Sequence, residues 1–312
     1  MPRIAIGICT YRRPEGLSRL LDSLQNLGLR NPDDDVGIVV IDNSPDGSAR
    51  ALCDLKAETS RFRVRYVNET RKGLSNARNA ALSESRALGA RYLAFIDDDE
   101  MAQKTWLQDL VDTIETSGAT IAAGPSYPLF AAPPGKWLPI EAYAYVPKER
   151  DGFADDASSA NMMIDVTRLD QLGLTFDLSF NDTGGEDTQL ITRLRAAGEK
   201  IAWSSNAVVW DFIPLDRMRP AWLFRRWYRT GTTEGRLEGS KSRTLKGRTR
   251  NAAKGVVRLG YGGLRIAYGL VHAMLGKPQR LVASFYTFCR GAGYLSSAFG
   301  YSFDEYANRR YR

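Results

Sequence analysis

Four apolar runs in the first hundred residues each stop on polar side chains, and this alternation restricts the chain to few folds. RIAIGIC runs into Thr10-Tyr11, VGIVVID ends on Asp42 before Asn43, RFRVRYVN ends on Asn68, and RYLAFID ends on Asp97-Asp98-Asp99. Short runs dense in β-branched residues predict strands. Helical patterns fill the gaps. Pro14 stands at a favoured first-turn position, and Leu17, Leu20, Leu21, Leu24 and Leu27 follow on one face. NSPDGS is turn chemistry opening another helix, and residues 75–88 predict a third. Repeated strand–helix–strand units imply an α/β fold with a mostly parallel sheet and helices on both faces. Such sheets bind ligands outside the carboxyl ends of their strands. Four strands therefore deliver polar groups to one edge.

Beyond that half the signals are sparser. Residues 125–160 are rich in proline and glycine and are expected to be a long loop, which in a compact domain serves function or moves. NMMID predicts a short strand. GGEDTQLITRLRAAG predicts a helix from Glu186, with Leu190, Ile191, Leu194 and Ala197 on one face and Gly198 as its stop. KIAWSS and AVVWDF predict strands, and Pro220 to about Gly231 a helix.

Two acidic clusters stand out. An apolar strand ending in FIDDDE suits a hard divalent cation bridging carboxylates and substrate phosphates, and equally suits a solvated acidic turn. In GGEDTQL, Glu186 and Asp187 follow a Gly-Gly hinge, where they could hold a base near substrate or simply answer the helix dipole. RRWYRTG mixes cations with Trp227 and Tyr228, which suits a diphosphate or a stacked sugar as well as a helix anchored by tryptophan. The chain has one histidine, His272, far from both clusters, so proton transfer falls to carboxylates. Three scattered cysteines offer neither a zinc motif nor a disulfide framework. No secretory signal opens the chain, and a cytoplasmic location is expected.

Taken in order, ICTYRRPEGLSRLLDSL, VVIDNSPDGS, NETRKGLSNARNAAL, FIDDDE, GGEDTQLITRLRAAG and RRWYRTG resemble the family 2 inverting glycosyltransferases of the GT-A fold, of the bacterial polysaccharide type. The resemblance covers about residues 3–235. It implies a nucleotide-sugar donor, a UDP-sugar by the family's habit, and Mg²⁺ or Mn²⁺. Thr10, Tyr11 and Arg12 match the stretch lining the nucleotide base, Asp42 the aspartate bonded to the base, and Arg78 the arginine near base and ribose. Asp97, Asp98 and Asp99 cover the DXD element for ribose, metal and diphosphate, with Asp99 the first choice of metal ligand and Asp97 the second. Asp187 matches the catalytic base, Glu186 an acceptor contact, and Arg226 with Trp227 a degenerate (Q/R)xxRW element for acceptor and diphosphate. Two departures matter. IDNS replaces the frequent DDGS, and RRWYRTG lacks the full pattern of processive polymerases, which implies single addition.

After Gly235 the resemblance fades, and residues 236–312 are expected to form a separate basic helical region. Residues 217–312 carry 20 Lys+Arg against 4 Asp+Glu, and no acidic residue lies between Gly239 and Phe303. Two amphipathic helices parted near Gly276-Lys277-Pro278 are expected. They would lie on an anionic membrane beside a lipid-linked saccharide acceptor, peripheral to the inner face, or pack as a hairpin on the catalytic domain. A basic nucleic-acid-binding protein would explain the charge but not the acidic clusters, so no nucleic-acid partner is expected. A sugar-nucleotide pyrophosphorylase would carry a Gly-rich phosphate loop where TYRRPEG stands.

Overall fold

The computed structural model describes residues 4–31, 35–240 and 245–301, apart from the side chains of 239–240 and 245–247. The final stretch of the expected C-terminal region, 302–312, lies outside the described residues.

Strand and helix alternate as expected through β1 (Ile4–Thr10), α1 (Pro14–Leu24), β2 (Val36–Asp42), α2 (Arg50–Thr59), β3 (Arg63–Asn68), α3 (Leu74–Ala87) and β4 (Tyr92–Ile96). Next come β5 (Glu100–Ala102), α4 (Trp106–Ser117), β6 (Ile121–Ala123), β7 (Ser126–Phe130), β8 (Glu149–Arg150), β9 (Phe153–Ala154) and β10 (Asn161–Asp165). Then follow α5 (Val166–Gln171), α6 (Glu186–Ala196), β11 (Ile201–Trp203) and β12 (Val209–Ile213). Three helices close the described chain: α7 (Pro220–Ser240), α8 (Leu245–Met274) and α9 (Pro278–Ala298).

The main sheet runs β3-β2-β1-β4-β10-β6-β11-β9-β8, and a small sheet runs β5-β12-β7. The first four strands of the main sheet are parallel, and β10 enters antiparallel to both β4 and β6. Register matters to function: Thr10 stands beside Asp42, and Asp42 beside Asn68, so three strand ends are level. Alternation sorts the core onto two faces. Ile4, Ile6 and Ile8 pack with Leu17, Leu20, Leu21, Leu24 and Trp106. Ala5, Val39 and Ile41 face the other way, against Ala77, Ala81 and Leu82 of α3.

The chain forms two compact units. Among the described residues, one holds those up to Tyr127 and Tyr145–Phe212; the other holds Pro128–Ala144 and those from Ile213 to Tyr301. The expected division at 235/236 falls inside α7. That helix also runs past Gly231, its expected end. The glycine is not a stop there but a contact: its α-carbon faces the Arg290 backbone of α9 too closely to admit a side chain. Residues 125–160 are less looped than expected. They contain β7, β8, β9 and a 3₁₀ turn at Ile140–Ala142: β8 and β9 pair with each other and β9 with β11, while Leu138 and Tyr143 beside the turn are drawn into the aromatic core of the second unit. The break at 276–278 falls where expected.

Candidate active site

The acidic turn follows the last residue of β4, and its three aspartates have unlike surroundings. Asp98 is 4% exposed. It accepts 2.8 Å hydrogen bonds from Thr10 Oγ1 and from Arg13 Nη1. The same Arg13 nitrogen lies 3.0 Å from Asp99 Oδ2. The Asp97 and Asp99 side chains remain 43% and 18% exposed. Gly16 in the first turn of α1 permits this arrangement, since a Cβ there would lie 2.6 Å from the Asp98 carbonyl oxygen. Glu100, behind the turn, is buried and accepts from Ser126 Oγ at 3.0 Å and from the Asp97 backbone N–H at 3.1 Å.

Crowded carboxylates resist ionisation. Partial withdrawal from water first, then Asp99 and Asp98, raise the Asp97 carboxyl above its ordinary value against the pull of Arg78. Burial also raises Asp98, opposed by Arg13 and Thr10. Glu100 is raised well above the ordinary range by burial, then by Asp97 and Asp211.

The second cluster is aimed by a backbone hinge. Gly184 and Gly185 take φ of +68° and +91°, a region side chains rarely enter, and α6 begins at once with Glu186. Glu186 is 1% exposed and ion-paired with Arg78, itself 5% exposed. Arg78 Nη2 also lies 3.8 Å from Asp97 Oδ1. Asp187 is half-buried. Its Oδ1 accepts from the Thr188 backbone N–H at 2.7 Å and from Thr188 Oγ1 at 3.3 Å, and its Oδ2 from Ser159 Oγ at 3.2 Å and Ser159 N–H at 3.4 Å, so Thr188 and Ser159 together fix both carboxylate oxygens. Asp156, Tyr145 and Asp187 interact electrostatically, and Asp156 is pushed up to about 6, chiefly by burial and then by Asp187.

The remaining expected residues are more scattered in role. Asp42 is fully buried, with both oxygens occupied: Ser44 donates through N and Oγ, Ala49 through N at 2.8 Å, and Tyr66 through its hydroxyl at 3.0 Å. It shapes the loop after β2. Asn43 beside it is equally engaged, donating to the carbonyls of Glu69 and Arg71 and accepting from Gly73 N–H. Tyr11 is half-buried, and Arg12 turns the chain at φ +52° while pairing with Asp46 at 3.1 Å. Arg226 and Trp227 belong to the second unit. There Trp227 is 5% exposed within an aromatic cluster with Phe224 and Tyr286, and Arg226 lies over the Trp222 ring at 5.3 Å.

Arg13, Glu100, Ser159 and Asp156 are prominent at the site without having been singled out. Arg13 sits in the same TYRRPEG segment as Arg12, and its partner Asp98 lies 85 residues away, so no local pattern distinguishes the two arginines. The metal expectation meets a mixed donor set. Among the described residues no group of three or more His, Cys, Asp or Glu gathers as a metal cage. Mg²⁺ commonly uses one or two carboxylates with substrate phosphates. Partly exposed Asp97 and Asp99 fit that role, while Asp98 is turned inward.

A level strand edge, an acidic turn after β4 and an acidic helix start at α6 define a GT-A transferase architecture. The model of glycosyl transferase family 2 matches residues 5–169, and the chain belongs to that family. It is 34% identical over 246 residues to the succinoglycan biosynthesis protein ExoM of Rhizobium meliloti (strain 1021), covering 78% of this chain and 77% of ExoM. Glycosyltransferase GlyA of Streptococcus pneumoniae serotype 4 is 26% identical over 125 residues, 40% of this chain and 17% of GlyA. In fold, the chain resembles the mannosyltransferase PcManGT from Pyrobaculum calidifontis, solved with GDP-Man and Mn²⁺. The TM-score is 0.58 at 15% identity, covering 97% of this chain and 76% of that one.

Proposed function

We propose that this protein is an inverting glycosyltransferase that moves one sugar from a nucleoside-diphosphate donor, a UDP-sugar, to a hydroxyl of a lipid-linked saccharide acceptor in polysaccharide biosynthesis, working peripherally on the inner face of the cell membrane. The likeness to ExoM, named for succinoglycan biosynthesis, supports the pathway class. One observation carries the chemistry: Arg78 links the acidic turn, at Asp97, to Glu186, whose chain neighbour Asp187 offers a separate carboxylate.

In this reading Asp99 and Asp97 hold Mg²⁺ or Mn²⁺, which when bound would offset the charge of the leaving diphosphate. Tyr11 and Arg12 line the donor's base, with Thr10 steadying the acidic turn through Asp98. Asp42 supports the base pocket by fixing its loop. Asp187 takes the proton from the acceptor hydroxyl as the hydroxyl attacks the anomeric carbon from the face opposite the leaving group. Ser159 and Thr188 hold its carboxylate in line. General-base help of this kind contributes about 10²–10⁴-fold. Glu186 acts as a strut for Asp187.

The test is a panel of nucleotide sugars, scored by thermal stabilisation and by hydrolysis with and without Mn²⁺. One donor class should stabilise the protein. Asp187→Asn should keep that stabilisation and lose transfer by at least about 10²-fold; near-normal turnover in that variant removes Asp187 as base.

A further inference from the structure

Helix α8 has two unlike sides. Gly255, Gly262 and Gly269 recur every seven residues along one of them. A Cβ on Gly255 would lie 2.8 Å from Leu295 Cβ, and one on Gly262 would lie 2.6 Å from the Phe288 backbone nitrogen. That side is closed against α9. The opposite side carries Val257, Tyr261, Leu264, Tyr268 and Val271, with Leu275 just past the helix end. Steps of four and three residues keep these side chains on one line. They are between 54% and 73% exposed. Left bare, so long an apolar line marks an interaction surface.

The charge around the line indicates what covers it. Arg248 and Arg250 are exposed in the first turns of α8, Arg265 is exposed beside the line, and Lys277 and Arg280 are exposed just beyond it. No Asp or Glu occurs between Gly239 and Phe303 to answer them. Lys254 and Arg258 differ, being paired with Glu238 and Glu234 of α7. A surface that is apolar along its middle, basic at its ends and free of carboxylates complements an anionic lipid surface. Tyrosines on the line suit the headgroup boundary, where a ring can be buried and its hydroxyl kept wet. A second copy of the chain could also cover a heptad line, but it would bring two basic margins together with no carboxylate between them. No described helix is long and apolar enough to cross a bilayer, so α8 would lie in the plane of the surface.

We propose that the Val257–Leu275 face of α8 is the membrane-docking surface of this protein, with Leu264 and Val271 among the acyl chains and Arg250, Arg265 and Lys277 at anionic headgroups. The proposal rests on the peripheral-membrane reading above and adds the face that performs it. The test is flotation of the full chain with phosphatidylcholine vesicles, with and without phosphatidylglycerol, for the wild type and for Leu264→Glu/Val271→Glu. Both positions are exposed, so the melting temperature should be unchanged. The wild type should float with the anionic vesicles, and the double variant should lose at least about tenfold in partitioning. Equal flotation of the two would overturn the assignment to α8 and leave the peripheral reading standing. Failure of the wild type to float would overturn both. A wild-type dimer that the double variant abolishes, without flotation, would give the face to a second copy.

Discussion

Arg78 reaches both acidic halves of the site, pairing with buried Glu186 at the head of α6 and standing 3.8 Å from Asp97 at the end of β4. It therefore fixes the distance between the open carboxylates and Asp187, the neighbour of its partner. Glu186 Oε2 has no hydrogen-bond donor of its own, so the pair depends heavily on Arg78. Removing one member of a buried pair leaves an uncompensated charge, which costs about 3–5 kcal/mol. Arg78→Gln and Glu186→Gln should each destabilise by that order in urea denaturation. The double variant should cost clearly less than their sum. Additive costs would mean that the two side chains are not coupled.

Arg13 pairs with inward-turned Asp98 and with Asp99, one of the two aspartates that a cation would use. Burial works against its guanidinium charge, but Asp98 and Asp99 more than reverse this, so its pKa is raised. Arg13→Gln leaves crowded carboxylates without their cation and should lower stability by about 3 kcal/mol in metal-free buffer. Mn²⁺ should then restore more of the melting temperature in Arg13→Gln than it adds to the wild type. Asp99→Asn should do the reverse and shrink the Mn²⁺ response. Identical Mn²⁺ shifts in all three proteins would place the ion elsewhere.

Asp156 gives a pH signature. Its carboxyl is pushed up to about 6 from an ordinary 3.8, first by burial and then by Asp187. A folded-state pKa above the unfolded one means that ionisation works against folding. The penalty is absent where both states are protonated, grows from about pH 4 to about pH 6 and is complete above that. Asp156→Asn removes it. The variant should therefore gain on the order of 1 kcal/mol over wild type at pH 8 and nothing at pH 3.5. A gain independent of pH would show that the charge is not its cause.

Legibility in the sequence followed locality. The four strand ends, the start of α6 and the break before α9 are written in runs of a few residues, and each formed where expected. What the side chains meet is decided by residues far off in the chain. FIDDDE does not reveal that Asp98 turns inward to Thr10 and Arg13 while Asp97 stays open. GGEDTQL places Glu186 and Asp187 side by side, but only α3 packing against the sheet brings Arg78 to the first and leaves the second half-exposed. Asp42 reads as a ligand group because an apolar strand ends on it. Its four internal donors come from the following loop and from Tyr66 on the next strand. Trp227 reads as a stacking residue and is instead core, since Phe224 and Tyr286 close over it.

The glycines of α8 are likewise decided by residues far off in the chain, and two adjacent ones separate the causes. Replacing a helical glycine by alanine ordinarily stabilises by about 0.5–1 kcal/mol, because the unfolded chain loses freedom. At Gly263 nothing lies within 4 Å of a new Cβ, so Gly263→Ala should raise the melting temperature. At Gly262 the new Cβ would stand 2.6 Å from the Phe288 nitrogen and 2.7 Å from its Cα, and backbone cannot rotate away as a side chain can. The helices must part, at about 1–3 kcal/mol for overpacking, which outweighs the entropic gain. Gly262→Ala should therefore lower the melting temperature while its neighbour raises it. Stabilisation by both substitutions would mean that α8 and α9 do not pack through this face.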